Sequence, residues 1–260
     1  MISLSGTGVH SGATSTVRLT RSDGPVRFLR SGQLIRAAAD SVIGTNRTTV
    51  LGTGAARVAM VEHLLAALHI RGWWSGLLIE TDSDELPALD GSAHVWLEAL
   101  DQLGTPPPAP EPLTTSQAIT VSSGESTASW APGPDLLDVS IRFAHPLIGT
   151  QRWQGSRADW PRLADARTFG FLSELERLRA DGLALGADTG NCLVYTETDT
   201  LEPARSADEP VRHKALDALG DLFLVGRPLA GHIRVACGSH GLHARLVQEV
   251  RERTGLEKAT

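Results

Sequence analysis

Cysteine is scarce in this chain: Cys192 and Cys237 are the only two. Two thiols make no cross-linked framework, which excludes a small disulfide-stapled scaffold. Long apolar runs are missing as well. Stretches such as Leu64–Leu68 fall far short of the ~18 residues a bilayer span requires, so no transmembrane segment is expected. The opening Met1–Gly6 has neither a basic nor an apolar leader region, so no signal peptide is expected and the cytoplasm is the expected compartment. There is no basic run, and 24 Lys and Arg against 30 Asp and Glu leave a formal net charge of −6. Such a chain has no electrostatic attraction to nucleic acid or anionic lipid. A small-molecule substrate handled by a monomer is the expectation.

What is present is a folded chain of 260 residues, 41% hydrophobic, with nine histidines. Its clearest break in composition is Gly104–Pro112, where five prolines in seven residues forbid a regular helix or a central strand. A domain at 1–103, a linker at 104–112 and a second domain at 113–260 follow. In the first, strands are expected at Ser15–Leu19, Val26–Leu29 and Gly76–Glu80, with helices at Val58–Ile70 and His94–Leu103. In the second, strands are expected at Ala118–Val121, Leu137–Phe143, Cys192–Tyr195 and Gly231–Ala236. Helices are expected from Leu172 to Ala180 and from Val211 to Val225, and a last one carries Leu242, Leu246, Val247 and Val250. Helix, strand, turn and helix recur in that order in both parts, and the first helix of each such run carries Val-x-His in its early turns, at Val61–His63 and Val211–His213. The pattern suggests two related α+β layers facing each other, with a cleft between them.

His213 and Asp217 stand four apart on an expected helix and so share one face. An imidazole and a carboxylate so placed can hold one metal ion, and a catalytic zinc takes three protein ligands with a position open to water. His63, on the corresponding helix of the other half, is the candidate third ligand, and its neighbour Glu62 is a candidate general base. Taken singly, each pair is more often a feature of a helix surface. Asp221, two turns beyond His213, is suited to holding an imidazole charged. His240 lies in Gly238–Gly241, which reads as a flexible loop, and Lys214 beside His213 is a candidate contact for an anionic or carbonyl group. His10, in a glycine-rich stretch, reads as structural. Asp90–Ser92 reads as a turn, and Trp73, Trp74 and Trp153 as packing residues.

Several blocks together resemble the zinc-dependent UDP-3-O-acyl-N-acetylglucosamine deacetylase family of lipid A biosynthesis. They are Gly8–Gly12, Val61–Leu68, Leu89–Ala93, Ala166–Phe171, Gly182–Gly186 and Val211–Leu222. The resemblance implies an α+β fold of two similar domains, each a sheet layered with helices, with the active-site cleft between them. It implies a hydrolase that removes N-acetyl from an amino sugar, with zinc, or iron(II) on the same donors, held by His63, His213 and Asp217. It further implies Glu62 as general base, His240 as protonated partner, Asp221 as its orienting carboxylate, and Thr168, Phe169 and Lys214 as contacts to substrate. Some positions depart from the family pattern. Ser126 stands where a phosphate-binding lysine is usual, and Ala187-Asp188-Thr189-Gly190 replaces a less polar stretch along the acyl passage. A relative acting on a different, non-lipid N-acetyl amino sugar or small amide is therefore an alternative. A non-catalytic binding protein on the same fold is another.

Overall fold

The computed structural model describes residues 1–256. Its first sheet is built from β1 (Ile2–Thr7), β2 (Thr14–Pro25), β3 (Arg27–Arg30) and β4 (Gln33–Arg36). A small three-stranded sheet follows, of β5 (Val42–Gly44), β6 (Val50–Thr53) and β7 (Ala56–Val58). Then come α1 (Glu62–Arg71), β8 (Ser75–Thr81) and α2 (His94–Gln102). The first sheet runs β1-β2-β8-β3-β4, with β3 parallel to β8 and the other neighbours antiparallel.

The second half repeats the plan. It contains β9 (Ile119–Ser123), β10 (Ser126–Ala131), β11 (Leu136–Arg142) and β12 (Thr150–Gly155), then the short β13 (Phe169–Phe171), α3 (Leu175–Ala180) and β14 (Leu193–Tyr195). It closes with α4 (Glu209–Phe223), β15 (His232–Ala236) and α5 (His240–Arg253). Read from its β9 edge, the second sheet is β9-β10-β15-β11-β12, and here β11 alone is parallel to the central β15. Each half thus places its fifth long strand between two hairpins and flanks that strand in sequence with two helices. The recurrence of Val-x-His in the sequence corresponds to this repeated topology. Each half also inserts its own small piece before the helix that precedes its central strand: β5–β7 before α1 in one, β13, α3 and β14 before α4 in the other.

The halves meet through helices. From Glu62 to His69 every residue of α1 is buried, which is why its apolar residues show no single stripe. It packs on α4, and α4 in turn packs on α5, β11 and β12. Leu64, Leu65, Leu68, Leu216 and Leu219 are fully buried in one core shared by both halves; each contributes roughly 1.5–3 kcal/mol by area. Trp73 is buried, and Trp74 stacks on Phe223 with centroids 4.7 Å apart.

Several boundaries differ from expectation for identifiable reasons. The first helix begins at Glu62 rather than Val58, because Val58 pairs in β7 and Met60 takes φ 60°, outside the helical region. The helix expected from Leu172 opens as a 3₁₀ turn before α3. His240, expected in a loop, is the first residue of α5, whose cap is Ser239: its Oγ accepts the Leu242 N–H at 3.3 Å. Among the described residues no helix is long and apolar enough to cross a membrane.

Candidate functional site

The Glu62-His63 pair opens α1, and the chain leading into it is held from the side. The Met60 N–H donates to Thr48 Oγ1 at 2.8 Å, and Glu62 Oε2 accepts from Thr48 Oγ1 at 3.0 Å and from the Thr49 N–H at 3.1 Å. The unfavourable φ at Met60 is thereby fixed and aims the first turn of α1 at α4. On α4, His213, Asp217 and Asp221 follow one another at four-residue intervals, all buried. Across the helix contact, His63 Nε2 and His213 Nε2 each lie 3.5 Å from Asp217 Oδ1. Asp217 Oδ2 accepts from Lys214 Nζ at 2.9 Å.

These three groups suit a divalent ion. Their donor atoms all lie within 4.8 Å of one another, and tetrahedral bonds of about 2.0–2.1 Å set neighbouring ligands roughly 3.4 Å apart, close to the distances found. Burial lowers His213 well below an ordinary imidazole, against the pull of Asp217, so its ring keeps a lone pair to offer. Burial also opposes the Asp217 charge, yet His213, Lys214, His63 and His240 together hold that carboxyl well below its usual range. His213 and Asp217 are therefore held in the deprotonated forms that bind a metal ion.

A second cluster backs the first. Asp221 Oδ2 accepts from His240 Nδ1 at 2.8 Å and from His243 Nδ1 at 2.7 Å, while Asp221 Oδ1 accepts from Thr49 Oγ1 at 2.5 Å. Burial works against charge on both partners. Even so, His240 and His243 bring Asp221 down to about 2, and Asp221, Glu62 and Asp217 push His240 up to about 10. His240 is charged at neutral pH. Glu62 moves the other way: burial raises its carboxyl, with Asp217 and Asp221 adding and His240 and His63 opposing. A basic carboxylate and a charged imidazole thus face the same space, the arrangement proton transfer needs.

That space is a cavity of about 510 Å³ lined by Glu62, His63, Thr168, Phe169, His213, Lys214, Asp217 and His240. Asp221, named with them from sequence, stands behind His240 and does not line it. Thr168 is fixed across the halves, its N–H donating to Gly91 O and its carbonyl accepting from Leu193 N–H. The Phe169 ring lies edge-on to His213 at 5.5 Å and 5.9 Å from the Lys214 ammonium.

The departing positions divide. Ser126 begins β10 and is outside the cavity. Asp188 and Thr189 line it, but the Asp188 carboxylate is not bare: its Oδ1 accepts the N–H groups of Gly190 at 2.7 Å and Asn191 at 3.1 Å. His10, read from sequence as structural, also lines the cavity, and its backbone carbonyl accepts from Leu185 N–H. Sequence reasoning missed Thr48, Thr49 and His243. The first two carry no pattern; His243, one turn from His240 on a helix, was the one legible signal.

Comparison with known proteins gives a consistent result. The family model described as UDP-3-O-acyl N-acetylglycosamine deacetylase matches residues 1–252. A UDP-3-O-acyl-N-acetylglucosamine deacetylase of Myxococcus xanthus is 38% identical over 262 residues, covering 95% of this chain and 83% of its own. Proteins of the same name from Thermosynechococcus vestitus and Helicobacter pylori are 38% and 36% identical. They cover 95% and 96% of this chain and 90% and 88% of their own.

Proposed function

Since the chain belongs to the UDP-3-O-acyl N-acetylglycosamine deacetylase family, we propose that it hydrolyses the N-acetyl group of UDP-3-O-acyl-N-acetylglucosamine in lipid A biosynthesis, releasing acetate and a free amino sugar. The observation that carries this reading is the meeting of Glu62, His63, His213, Lys214, Asp217 and His240 on one cavity. His63, His213 and Asp217 are the proposed ligands of a divalent ion, zinc by preference and iron(II) on the same donors. Such an ion, when bound, polarises the acetamide carbonyl and makes water more acidic.

The remaining steps belong to the chain's own side chains. Glu62, fixed through Oε2 by Thr48 and Thr49, takes a proton from the attacking water as its oxygen bonds to the acetyl carbon. The tetrahedral oxyanion gains stabilisation from charged His240 and from the Thr168 hydroxyl. As the carbon–nitrogen bond breaks, protonated Glu62 or His240 supplies the proton that leaves the sugar as an amine. Lys214 holds Asp217 ionised and presents its ammonium at the cavity wall, and Phe169 walls the cavity beside His213. Asp221 orients His240 from behind.

A second reading rests on Asp188 and Thr189, which place polar groups in the cavity wall: the same hydrolysis on an amino sugar without a long acyl chain. One panel decides between them. Acetate release is measured from the acylated UDP sugar and from simpler N-acetyl sugars, with Glu62→Gln as control. Turnover of the acylated UDP sugar supports the first reading, turnover of the simpler sugars alone supports the second, and release from neither leaves the binding-protein alternative. The cytoplasm is the proposed compartment, consistent with Cys192 and Cys237 both being free. A monomer is proposed because both sides of the cavity come from one chain.

A further inference from the structure

His243 makes a contact that the reaction scheme does not use. It lies one turn beyond His240 on α5, on the same face, and is 2% exposed. Both imidazoles place Nδ1 on the same oxygen of Asp221, at 2.8 Å and 2.7 Å. An ionised carboxylate only accepts, so both Nδ1 atoms carry hydrogen and donate. The His243 ring is consequently committed to one orientation, and that orientation leaves its Nε2 buried without a hydrogen-bond partner among the described residues. An unsatisfied buried nitrogen is costly. The fold accommodates it with a residue lacking a side chain at 238, where a Cβ would stand 2.5 Å from Nε2.

We propose that His243 is a positioning residue for His240, acting through the Asp221 carboxylate that the two imidazoles share. Thr49 holds Oδ1 and His243 holds Oδ2, so the carboxylate plane is fixed from two directions before His240 docks on it. The second N–H on Oδ2 also draws off part of the negative charge available to His240. His243 in this way sets both the aim and the strength of the Asp221–His240 contact without reaching the cavity, which it does not line. The inference rests on the deacetylase reading for its kinetic consequence and on geometry alone for its structural one.

Two substitutions separate positioning from packing. Leucine puts a carbon where Nδ1 stands and cannot donate; asparagine puts an amide nitrogen the same number of bonds from Cα and can. In the zinc-loaded full chain, His243→Leu lowers kcat for acetate release about 10- to 100-fold with KM within about twofold, and His243→Asn restores kcat to within about threefold. Nitrogen-15 NMR of the same proteins reads the contact directly: the His240 Nδ1–H resonance is displaced in His243→Leu and returns in His243→Asn. If His243→Leu does not fold, His243→Met, equally donor-free, takes its place. Parental kcat in the donor-free variant, an equal loss in His243→Asn, or an unmoved His240 resonance would each overturn the proposal. An inactive parent protein would count against the deacetylase reading instead, and the resonance would still decide the role of His243.

Discussion

Gly220 of α4 lies against the carbonyl of Glu62 in α1, so closely that a Cβ at 220 would overlap both the carbonyl oxygen and its carbon. Helix α1 brings Glu62 and His63, α4 brings His213 and Asp217, and this contact sets the distance between the two pairs. The neighbouring atoms are backbone and cannot swing aside. Gly220→Ala is therefore expected to destabilise the protein by about 1–3 kcal/mol or more through overpacking, despite alanine's better helix propensity. Denaturant unfolding measures it, and unchanged stability would show that the helices have room to separate.

His69 provides a pH-dependent test. It is buried among Trp74, Trp160 and Phe223, its Nδ1 donates to Leu219 O at 2.9 Å, and its Nε2 has no partner among the described residues. Burial pulls it down to about 4, against the raising effect of the Leu219 hydrogen bond. The folded value lies below the ordinary 6.5, so the unfolded chain binds the extra proton first as pH falls. Stability from this residue is full above the unfolded value and lost as pH drops from 6.5 towards 4. Comparing pH 7 with pH 4.5 at equal metal loading, His69→Gln should shrink the acid loss by roughly 2–3 kcal/mol. The same acid loss in both proteins would contradict the assignment.

Arg167 and Glu209 form a buried pair that anchors the approach to Thr168. Arg167 Nε donates to Glu209 Oε1 at 2.8 Å and Arg167 Nη2 to Oε2 at 3.2 Å, and Glu209 also accepts the Arg167 and Arg205 backbone N–H groups. Removing one partner strands a buried charge, so Arg167→Met should cost about 3–5 kcal/mol in urea unfolding. Adding Glu209→Leu should recover part of that loss. A double variant less stable than the single one would show that the pair itself, rather than the stranded charge, carries the energy.

How much of this was legible in the sequence depended on distance along the chain. The face of α4 could be read because Leu216, Leu219 and Leu222 recur at helical spacing and His213, Asp217 and Asp221 recur at four. His63 could be joined to them because the fold repeats its plan, and the same short pattern recurs at the start of α1 and in the first turns of α4. The start of α1 was misplaced because strand pairing of Val58 and the backbone at Met60 override propensity. Strands β5 to β7 are three or four residues long, too short to show alternation. Thr49 meets Asp221 across 172 residues, a contact that no local period encodes. The pairing of the Asp188 carboxylate was not legible in the sequence, because its two backbone donors depend on the turn it makes.

The account stands on His63, His213 and Asp217 sharing one divalent ion between the halves. Its most direct test is the zinc content of the purified chain after equilibration with zinc and removal of loosely bound ion, compared with Asp217→Ala. The expected result is about one zinc per chain in the parent and a large loss in the variant. Zinc retained by Asp217→Ala at the parental level and affinity would contradict it.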